Sequence, residues 1–384
     1  KPLQSLLIES LGLKDEHALI SGGRYHNFKD FMRFPSQLGR RAWINPHLEP
    51  LESPKFGVSR NYFKAIGQGD VLLYYPYHTF GHFLEWLRQA AYDPKVETIS
   101  ITLYRVATDS MIIKSLIDAT RNGKQVKVVL ELQARFDEEN NLRWARELTD
   151  NGVNVRFGVN ELKVHAKLCL IERREARALK RYSYIGTGNF HESTAKVYTD
   201  FGLFTVHEEL TAEVAKVFEF IRSPYRRPRF KHLWVSPFGH RNALYKHIER
   251  EIEHAKAGRH ARLRAKINNL VDQELIKKLY QASEAGVQIK LIVRGMCSLV
   301  TEQPESSNIE VISIVDRFLE NPRLVEFSNN VATDIFISSA DWMTRNLDLR
   351  VEVATPVLDP ECKQRISQLL DIQWQDRTKA RTIN

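Results

Sequence analysis

Cysteine is scarce in this sequence. Among 384 residues there are three cysteines, Cys169, Cys297 and Cys362, and they lie far apart. No spacing between them suits a zinc site, an iron–sulfur cluster or a redox pair. Cys169 and Cys297 occur in apolar runs and are predicted to be small core residues. An odd number of scattered cysteines favours a reducing compartment, so a cytoplasmic location is expected.

Long apolar runs are also lacking. No run reaches the roughly 20 residues that a membrane-spanning helix needs, and no signal peptide opens the chain. The first residue is Lys1, and PLQSLLIESLGL is typical of a helix that has already begun. We therefore expect the chain to be part of a longer protein, with enough residues here for two or three domains.

Two common motifs for binding nucleoside triphosphates are absent. The sequence contains neither a G-x-x-x-x-G-K-[ST] loop nor a protein-kinase glycine loop followed by H-R-D. Any reaction with a nucleoside triphosphate must therefore use a different fold.

Positive charge is concentrated in one segment. The net charge is +9, and residues 222–266 contain 13 Lys or Arg against three acids, Glu249, Glu251 and Glu253. Such a run is usually a solvated surface, but it also suits the binding of a polyanion. Charge alone does not define which polyanion.

Strand-like and helix-like segments alternate, which is typical of an α/β fold. Residues 109–122 form a predicted helix that ends at Gly123. The predicted strands are 96–106, 125–134, 154–159, 167–172 and 182–186.

The second half of the chain repeats the first. IIKSLIDATRNGKQVKVVLE (112–131) aligns without a gap with LIKKLYQASEAGVQIKLIVR (275–294). HAKLCLI (165–171) aligns with NPRLVEF (321–327), and YIGTGNF (184–190) aligns with FISSADW (336–342). Two unrelated units of similar pattern could give part of this match, but the ungapped alignment favours two homologous α/β domains in tandem.

Comparison of the two repeats shows a histidine in the first that is absent from the second. His165 aligns with Asn321 and Lys167 aligns with Arg323, so each half has a polar-x-basic start to a strand, but only the first has an imidazole. Histidine can attack phosphorus through a ring nitrogen, and a neighbouring lysine neutralises phosphate charge. We predict that Glu172 holds one ring nitrogen of His165 so that the other is presented to the substrate.

Other residues that can contact phosphate oxygens also point to phosphate chemistry. The G-T-G-N turn at 186–189 offers backbone N–H groups and the amide of Asn189 to phosphate oxygens. Arg105, Arg135 and Arg294 end predicted strands, at the edge where α/β sheets bind ligands. Guanidinium groups there can clamp the oxygens of a transferring phosphoryl group.

Long motifs resemble one known family. LKVHAKLCLIERR, IGTGNFHESTAKVYTDFGLFT, TLYRVA, LIVRGMCSLV and SSADWMTRN closely resemble the bacterial polyphosphate kinases of the histidine-phosphorylating type. The resemblance covers essentially the whole chain. It implies the end of a head domain at 1–55, which includes SGGRYHNFKDF, and two phospholipase-D-like domains at 56–225 and 226–384.

The resemblance implies roles for residues of this chain. His165 matches the phosphorylated histidine of an enzyme that reversibly transfers the terminal phosphate of ATP to polyphosphate, with Mg²⁺ as cofactor. Tyr198 and Arg294 match nucleotide contacts. Arg105 and Arg135 match residues near magnesium and phosphate, and because arginine cannot ligate a cation we interpret them as clamps on metal-bound phosphates. Lys167 and Asn189 are assigned to a phosphate cradle on physical grounds.

The chain departs from the family at one such position. The family has a second functional histidine in an L-E-H context, whereas this chain has L-E-N, with Asn321. We expect Asn321 to contact ATP or phosphate. The family's N-terminal domain, which supplies a nucleotide contact, has no counterpart in this sequence.

The expected partners are inorganic polyphosphate and ATP or ADP, with no nucleic acid. A homo-oligomer and peripheral association with a membrane are further expectations. Two alternatives stay open: a phospholipase-D-type phosphodiesterase or nuclease, and a non-catalytic module that binds polyanions. The first normally uses an H-x-K motif in each half, and the second would not explain His165 beside Lys167.

Overall fold

The computed structural model describes residues 2–10, 12, 44–58, 60–132, 138–176 and 178–383. Arg135 and the SGGRYHNFKDF segment lie outside these residues. The chain divides into two compact units, Lys1–Leu48 and Glu49–Asn384. The first contains the helix Pro2–Ser10, and the second contains everything described below.

The second unit is built from strands and helices that alternate along the chain. Its helices are Pro54–Gly57, Tyr62–Gly67, Gly81–Tyr92, Met111–Arg121, Glu138–Asp150, Glu208–Arg222, His240–Lys256, Gln273–Glu284, Thr344–Asp348 and Pro360–Trp374. Its strands are β1 (Val71–Tyr75), β2 (Val96–Leu103), β3 (Gln125–Leu130), β4 (Asn154–Phe157), β5 (Lys163–Val164), β6 (Lys167–Glu175), β7 (Ala178–Gly186), β8 (Tyr198–Thr205), β9 (Trp234–Ser236), β10 (Arg262–Ile267), β11 (Gln288–Val293), β12 (Ile309–Ile314), β13 (Leu319–Glu320), β14 (Arg323–Phe327), β15 (Asp334–Ser338), β16 (Arg350–Pro356) and β17 (Ala380–Thr382).

Two sheets of matching topology confirm the duplication. The main strand order of the first sheet is β4-β3-β2-β6-β7-β8, and that of the second is β12-β11-β10-β14-β15-β16. In each, three parallel strands are followed by three antiparallel ones. The helices Met111–Arg121 and Gln273–Glu284 occupy equivalent places, as the alignment of 112–131 with 275–294 predicts.

The central strands are buried on both faces. In β6, Cys169 and Ile171 pack with the helices on one face of the sheet, whereas Leu168 and Leu170 pack with the helix Glu208–Arg222 on the other. Successive residues of a strand point to opposite faces, so a sheet covered twice requires apolar residues at every position. This explains the continuous apolar run in KLCLI.

The two halves share their apolar cores. One cluster joins Leu168 and Val217 of the first half to Val351 and Val353 of β16. Another joins Leu203 of β8 to residues of the second half, including Ile366 of the helix Pro360–Trp374. Burial of apolar side chains therefore stabilises the interface between the halves as well as each half.

Each half also contributes one short strand that pairs with a strand of the other half. β5 pairs in parallel with β16, with Lys163 opposite Arg350. β13 pairs in parallel with β8, with Leu319 opposite Tyr198. These pairings are related by the sequence repeat, so the two halves meet about a pseudo-two-fold axis. His165 follows β5 directly and Asn321 follows β13 directly, which brings both residues to the interface.

Some sequence expectations needed correction. Cys169 is buried as predicted, but Cys297 is partly exposed, and Cys362 is buried instead. β6 runs to Glu175 and β7 starts at Ala178, so the two predicted strands continue into a long hairpin. None of the helices in the described ranges is long and apolar enough to cross a membrane.

Candidate active site

His165 lies at the interface with a carboxylate from the other half of the chain. Its Nδ1 is 3.0 Å from Oε2 of Glu352, which is fully buried in β16. The backbone N–H groups of His165 and Ala166 both donate to the carbonyl oxygen of Val351, at 2.9 Å each. The backbone pairing thus fixes the position of the imidazole beside Glu352.

Glu352 is itself held on both carboxylate oxygens. Ser339 donates its hydroxyl to Oε2 at 2.5 Å, and Asn346 donates its amide to Oε1 at 2.6 Å. Burial raises the pKa of Glu352, but His165, the charge of Lys167 and the hydrogen bond from Ser339 outweigh it and hold the pKa at about 2. An ionised carboxylate only accepts hydrogen bonds, so the proton between the two residues belongs on Nδ1 of His165.

The imidazole is neutral at ordinary pH. Burial lowers the pKa of His165 to about 4; Glu352 acts against this and raises the pKa, and the charges of Lys167 and Arg323 lower it further. With the proton on Nδ1, the Nε2 lone pair remains available. The His165 ring also packs edge-on against Tyr104, with ring centroids 5.0 Å apart. The arrangement therefore presents an oriented, uncharged nitrogen nucleophile.

Lys167 is a buried cation beside this nucleophile. Its side chain is 3% exposed, and Nζ donates to the carbonyl oxygen of His165. Burial lowers the pKa of Lys167 to about 7, the charge of Glu352 raises it, and Arg323 and Arg350 lower it further. Lys167 therefore loses its proton easily, and an anionic ligand nearby would favour its charged form.

The prediction that Glu172 holds His165 is wrong. Glu172 is the sixth of the nine residues of β6, and its carboxylate accepts a hydrogen bond from Arg181 at 3.0 Å. Because a strand rises about 3.3 Å per residue, the seven residues from His165 to Glu172 separate them by roughly 20 Å. The acid that contacts His165 comes from the second half of the chain.

Asn321 occupies the equivalent place in the second half and is fully engaged in hydrogen bonds. Its Nδ2 donates to both carboxylate oxygens of Asp200, at 2.9 Å each, and its Oδ1 accepts from Asn268 at 3.1 Å. Asp200 also accepts the Thr187 hydroxyl at 2.6 Å. Asn321 thus pairs with an acid of the first half, just as His165 pairs with an acid of the second.

Arg323 is the counterpart of Lys167. It is 8% exposed and forms a two-nitrogen contact with the carboxylate of Asp341, with Nε–Oδ1 and Nη2–Oδ2 distances of 3.3 and 3.2 Å. Its Nη1 donates to the carbonyl oxygen of Asn321 at 3.1 Å. Lys167 and Arg323 therefore start equivalent strands and bring two cations to the interface between the halves.

Arg294 and Tyr198, two other predicted site residues, lie near Asn321. Arg294 directly follows β11, and its Nε donates to Oδ1 of Asn268 at 2.7 Å. Burial and then the charge of Arg323 lower the pKa of Arg294, and Tyr198 and Asp200 act on it in the opposite direction. Arg294 is therefore linked through Asn268 to Asn321, with Tyr198 close by.

Asn189 and Arg105 lie on loops of the first half. Oδ1 of Asn189 is buried without a hydrogen-bond partner within the described residues. Arg105 follows β2, where its guanidinium lies 5.8 Å from the Tyr104 ring centroid. Gly188, between Thr187 and Asn189, leaves no room for a side chain, because a Cβ there would lie 2.1 Å from Oδ2 of Asp200.

Metal ligands are not concentrated in the described part of the chain. No group of three or more His, Cys, Asp or Glu residues there could hold a metal ion. The cationic residues around His165 instead suit an anionic ligand.

Comparison with known proteins agrees with this geometry. Residues 61–227 match the family model for polyphosphate kinase C-terminal domain 1, and residues 233–384 match the model for C-terminal domain 2. The chain belongs to the polyphosphate kinase family. A polyphosphate kinase of Vibrio vulnificus strain YJ016 is 55% identical over 97% of this chain and 53% of its own length. That of Escherichia coli K12 is 51% identical over 100% of this chain and 56% of its own length.

Solved structures confirm the tandem α/β fold. A polyphosphate kinase of Porphyromonas gingivalis superposes with a TM-score of 0.87 at 38% identity, over 100% of this chain and 58% of that chain. A phosphatidylserine synthase of Haemophilus influenzae shares the fold alone, with a TM-score of 0.52 at 12% identity over 82% of this chain and 88% of that one. This chain spans about half the length of the curated family members it matches.

Sequence reasoning missed the acids on both sides of the site. Asp200 and Glu352 are equivalent in the repeat, because extending the alignment of YIGTGNF with FISSADW by ten residues places one over the other. That continued alignment was the available signal. The same alignment places Ser339 over Thr187, which donates its hydroxyl to Asp200 as Ser339 does to Glu352. Asn268 carried no comparable signal, since its role depends on contacts between segments that are distant in sequence.

Proposed function

We propose that this chain carries the phosphoryl-transfer centre of a polyphosphate kinase, with His165 as the residue that is phosphorylated. The observation that carries the proposal is the neutral, buried imidazole whose Nδ1 bonds to Glu352 beside the cation Lys167. This combination supports attack on phosphorus by a nitrogen, which an ordinary structural histidine would not require.

In the proposed reaction, Nε2 of His165 attacks the terminal phosphorus of ATP. An N–P bond forms as the P–O bond to ADP breaks, and the electron pair of that bond leaves with ADP. The ring, now carrying a phosphoryl group on Nε2 and a proton on Nδ1, is stabilised by the Glu352 carboxylate. A terminal oxygen of polyphosphate then attacks the same phosphorus, and the N–P bond breaks to restore neutral His165.

Positive charge around His165 is assigned to the transferring phosphoryl group. Lys167 and Arg323 are buried cations at the interface, and Arg105 and Asn189 are assigned to phosphate contacts on the first half. Phosphoryl transfer through a loose transition state depends mainly on positioning and charge, so these groups supply most of the stabilisation. By the family match, Tyr198 and Arg294 contact the nucleotide, and Arg135 joins Arg105 as a clamp.

Magnesium is proposed to enter with ATP. The described part of the chain offers no cluster of carboxylates for it, and magnesium in such enzymes is bound largely by water and substrate phosphates. When bound there it would neutralise phosphate charge. A cytoplasmic location, a homo-oligomer and peripheral association with a membrane remain proposals, and the three free cysteines are compatible with the first of these.

A matched set of variants tests this function. Incubation with radiolabelled ATP and magnesium should give an acid-labile, base-stable label on the wild-type chain and none on His165→Ala. Glu352→Gln should slow labelling by about 10²–10⁴-fold, because the ring would lose the carboxylate that fixes its tautomer. Glu172→Gln, which changes a carboxylate of the same strand as Lys167, is the control and should label within twofold of wild type.

The proposal fails if His165→Ala is labelled at the wild-type rate. Equal effects of Glu352→Gln and Glu172→Gln would reject the role given to Glu352 while leaving the phosphorylated residue assigned. Hydrolysis of a phosphodiester by the wild-type chain, without labelling from ATP, would support the diesterase alternative.

A further inference from the structure

Three unpartnered polar atoms belong to residues that surround the side chain of Glu352. They are Oγ of Ser236, Nδ1 of His240 and Oδ1 of Asn346, and each is buried without a hydrogen-bond partner within the described residues. The three residues are at most 2% exposed. A buried polar atom without a partner is costly and uncommon in native proteins, so three beside one carboxylate require a physical explanation.

Ser236 faces Glu352 from one edge of β16. Ser236 of β9 is directly opposite Glu352 in the antiparallel register of the two strands. Residues paired in this way point to the same face of the sheet, with Cβ atoms about 4.5–5.5 Å apart. Both β9 and β15 pair with Ala354, so these two strands lie at opposite edges of β16. Ser236 therefore approaches Glu352 from the edge away from β15.

His165 and Ser339 approach Glu352 from the other edge. Their backbone N–H groups donate to the carbonyl oxygens of Val351 and Val353, respectively. These two carbonyls point to the same edge of β16, because they are two residues apart in a strand. Ser339 directly follows β15, so this is the β15 edge. Glu352 thus has the nucleophile on one side and Ser236 on the other.

His240 lies on the same face of the second half. It is the first residue of the helix His240–Lys256, and its ring packs against that of Trp234 with centroids 5.8 Å apart. Trp234 is two residues before Ser236 in β9, so both side chains point to the face that carries Glu352. Burial lowers the pKa of His240 to about 4, and the charge of Glu352 acts against this. His240 is therefore a neutral imidazole close to Glu352.

The first half is built differently at the equivalent place. Tyr75 of β1 is opposite Asp200 of β8, as Ser236 is opposite Glu352. Tyr75 is buried, and its hydroxyl lies 3.5 Å from that of Tyr184. The half without the imidazole thus has a large ring where the other half has a small, unpartnered hydroxyl.

We propose that Ser236 and His240 are positioning residues for phosphoryl transfer and act on Glu352 through one internal water molecule. Oε1 of Glu352 accepts the amide of Asn346 and can accept a second hydrogen bond. The water donates to this oxygen and to Oδ1 of Asn346. It accepts from the Ser236 hydroxyl and from Nδ1–H of His240. These four bonds complete the coordination of the water and leave none of the three atoms unpartnered.

This water keeps Glu352 directed at His165. Oε2 must accept the Nδ1 proton of His165 if Nε2 is to remain free to attack phosphorus. A carboxylate that is held less firmly at Oε1 is freer to rotate, and the ring proton can then move to Nε2 and block the nucleophile. The inference rests on the proposed function, since Glu352 affects the transfer through His165.

Single-turnover labelling from ATP tests the positioning role. Ser236→Ala and His240→Phe should each slow labelling of His165 by about tenfold, as expected when one hydrogen bond that supports a charged group is lost. The concentration of ATP that gives half-maximal labelling should change by less than about twofold, because both residues lie behind Glu352. His240→Asn places an amide nitrogen near the position of Nδ1 and should return labelling to within about threefold of wild type.

Ser183→Ala and His247→Phe are the matched controls. Ser183 is a fully buried serine of β7 whose Oγ also has no partner within the described part of the chain. His247 belongs to the same helix as His240, and its ring centroid is 4.9 Å from that of Trp234. Both control variants should be labelled within about twofold of wild type.

Nitrogen-15 NMR of the histidine-labelled protein measures the ring tautomer without requiring activity. The His165 signals are assigned by their loss in His165→Ala. Nε2 of His165 should be unprotonated in the wild type and in both controls, and partly protonated in Ser236→Ala and His240→Phe. A nuclear Overhauser contact between an internal water and Nδ1–H of His240 should be present in the wild type and lost in Ser236→Ala.

Several results would overturn this inference. Slower labelling with an unchanged His165 tautomer would show that Ser236 and His240 do not act through Glu352. Equal slowing by the controls, or no recovery in His240→Asn, would show a general effect of core substitutions. The absence of a water contact at His240 would reject the mediating water. Failure of the proposed function would be seen separately, as absence of label on the wild-type chain, and the tautomer measurement would still test the two positioning residues.

Discussion

His165 and Asn321 occupy equivalent positions, yet their side chains lead to different chemistry. Each contacts an acid of the opposite half, Glu352 for His165 and Asp200 for Asn321. The imidazole keeps a free nitrogen after bonding to Glu352, whereas the amide of Asn321 uses its oxygen for Asn268 and its nitrogen for Asp200. The pseudo-symmetric interface thus contains one potential nucleophile and one bridging amide.

Single residues of the site were only partly predictable. His165 and Lys167 could be predicted as candidates because a polar-x-basic start is unusual before a buried strand. Glu172 was wrongly preferred because it is close in sequence, although the length of β6 carries it away. The acid that contacts His165 lies 187 residues further along the chain, and local spacing contains no information about such a contact.

The pH dependence of His165 labelling should have limbs near pH 4 and pH 7. His165, with a pKa of about 4, is neutral above that pH, so labelling should fall as the pH drops through about 4. Lys167, with a pKa of about 7, loses its charge as the pH rises through about 7, and labelling should fall again. Lys167→Arg should extend the plateau to higher pH, because arginine stays protonated.

Single-turnover labelling across pH measures both limbs. Lys127→Arg, which changes an exposed lysine of β3, is the control and should keep the wild-type profile. Since a buried arginine could also slow the reaction, the position of the alkaline limb and not the plateau rate is decisive. An unchanged alkaline limb in Lys167→Arg would assign that limb to another group.

Asn321→His tests whether the second imidazole of the family acts as an acid or base. General acid–base catalysis contributes about 10²–10⁴-fold, so if that were its role the variant should gain comparably in kcat and acquire a new ionisation. We expect instead a nearly unchanged kcat and a modest shift in KM for ATP, because Asn321 bridges Asp200 and Asn268 and thereby positions charge. Steady-state kinetics with a pH profile distinguish these outcomes, and a large gain in kcat with a new pH limb would contradict our expectation.

At the scale of elements, the sequence repeat was a better guide to the helices and strands than it was to the contacts of individual residues. The ungapped alignment of 112–131 with 275–294 correctly placed a helix and a strand in each half. It did not predict β5 and β13, since two-residue strands have no periodicity. Yet these strands bring His165 and Asn321 to the interface, so the elements that matter most to the site were the least visible in the sequence.

β13 is held in place by a buried ion pair. Lys266 of β10 contacts the carboxylate of Glu320, the residue before Asn321, and both are at least nine-tenths buried. Gln373 completes the network, accepting from Lys266 at 2.8 Å and donating to Glu320 at 3.0 Å. The network therefore positions Asn321 through its neighbour in the chain.

Removal of one partner of this pair should be costly. Lys266→Met leaves the Glu320 charge buried with only Gln373 as a partner, and should lower the free energy of unfolding by about 3–5 kcal/mol. Lys266→Met/Glu320→Leu should recover most of that loss, because no charge remains uncompensated. Urea denaturation measures both, with Lys277→Met as the control, since the exposed Lys277–Glu274 pair should contribute less than about 1 kcal/mol. A double variant as unstable as the single one would show that the ion pair is not what stabilises this region.

For the whole molecule, net charge proved a poor guide to the location of a binding surface. The excess in 222–266 was counted along the sequence, but ions pair in space, and at least six of its 13 basic residues bind acids in the structure. The duplication, in contrast, could be predicted fully as a fold. The sequence could not show that each domain depends on the other for part of its core. The apolar clusters that contain residues of both halves form only when the two sheets pack together.

This interdependence predicts the behaviour of a chain cut between its halves. Tyr225 is 81% exposed in the linker, so a protease site there should be cleaved without disturbing the fold. The segment beyond the cut is fixed by Glu213, whose carboxylate accepts the N–H groups of Lys231 and Leu233 at 2.6 and 2.8 Å. The two pieces should co-elute in gel filtration because two apolar clusters span them, and His165 should still be labelled from ATP.

Residues 56–225 expressed alone should not be labelled, because Glu352 and Arg323 would be missing. Labelling of that isolated half at the wild-type rate would show that the first domain is sufficient, and dissociation of the cut chain would show that the shared clusters contribute too little to hold the halves together.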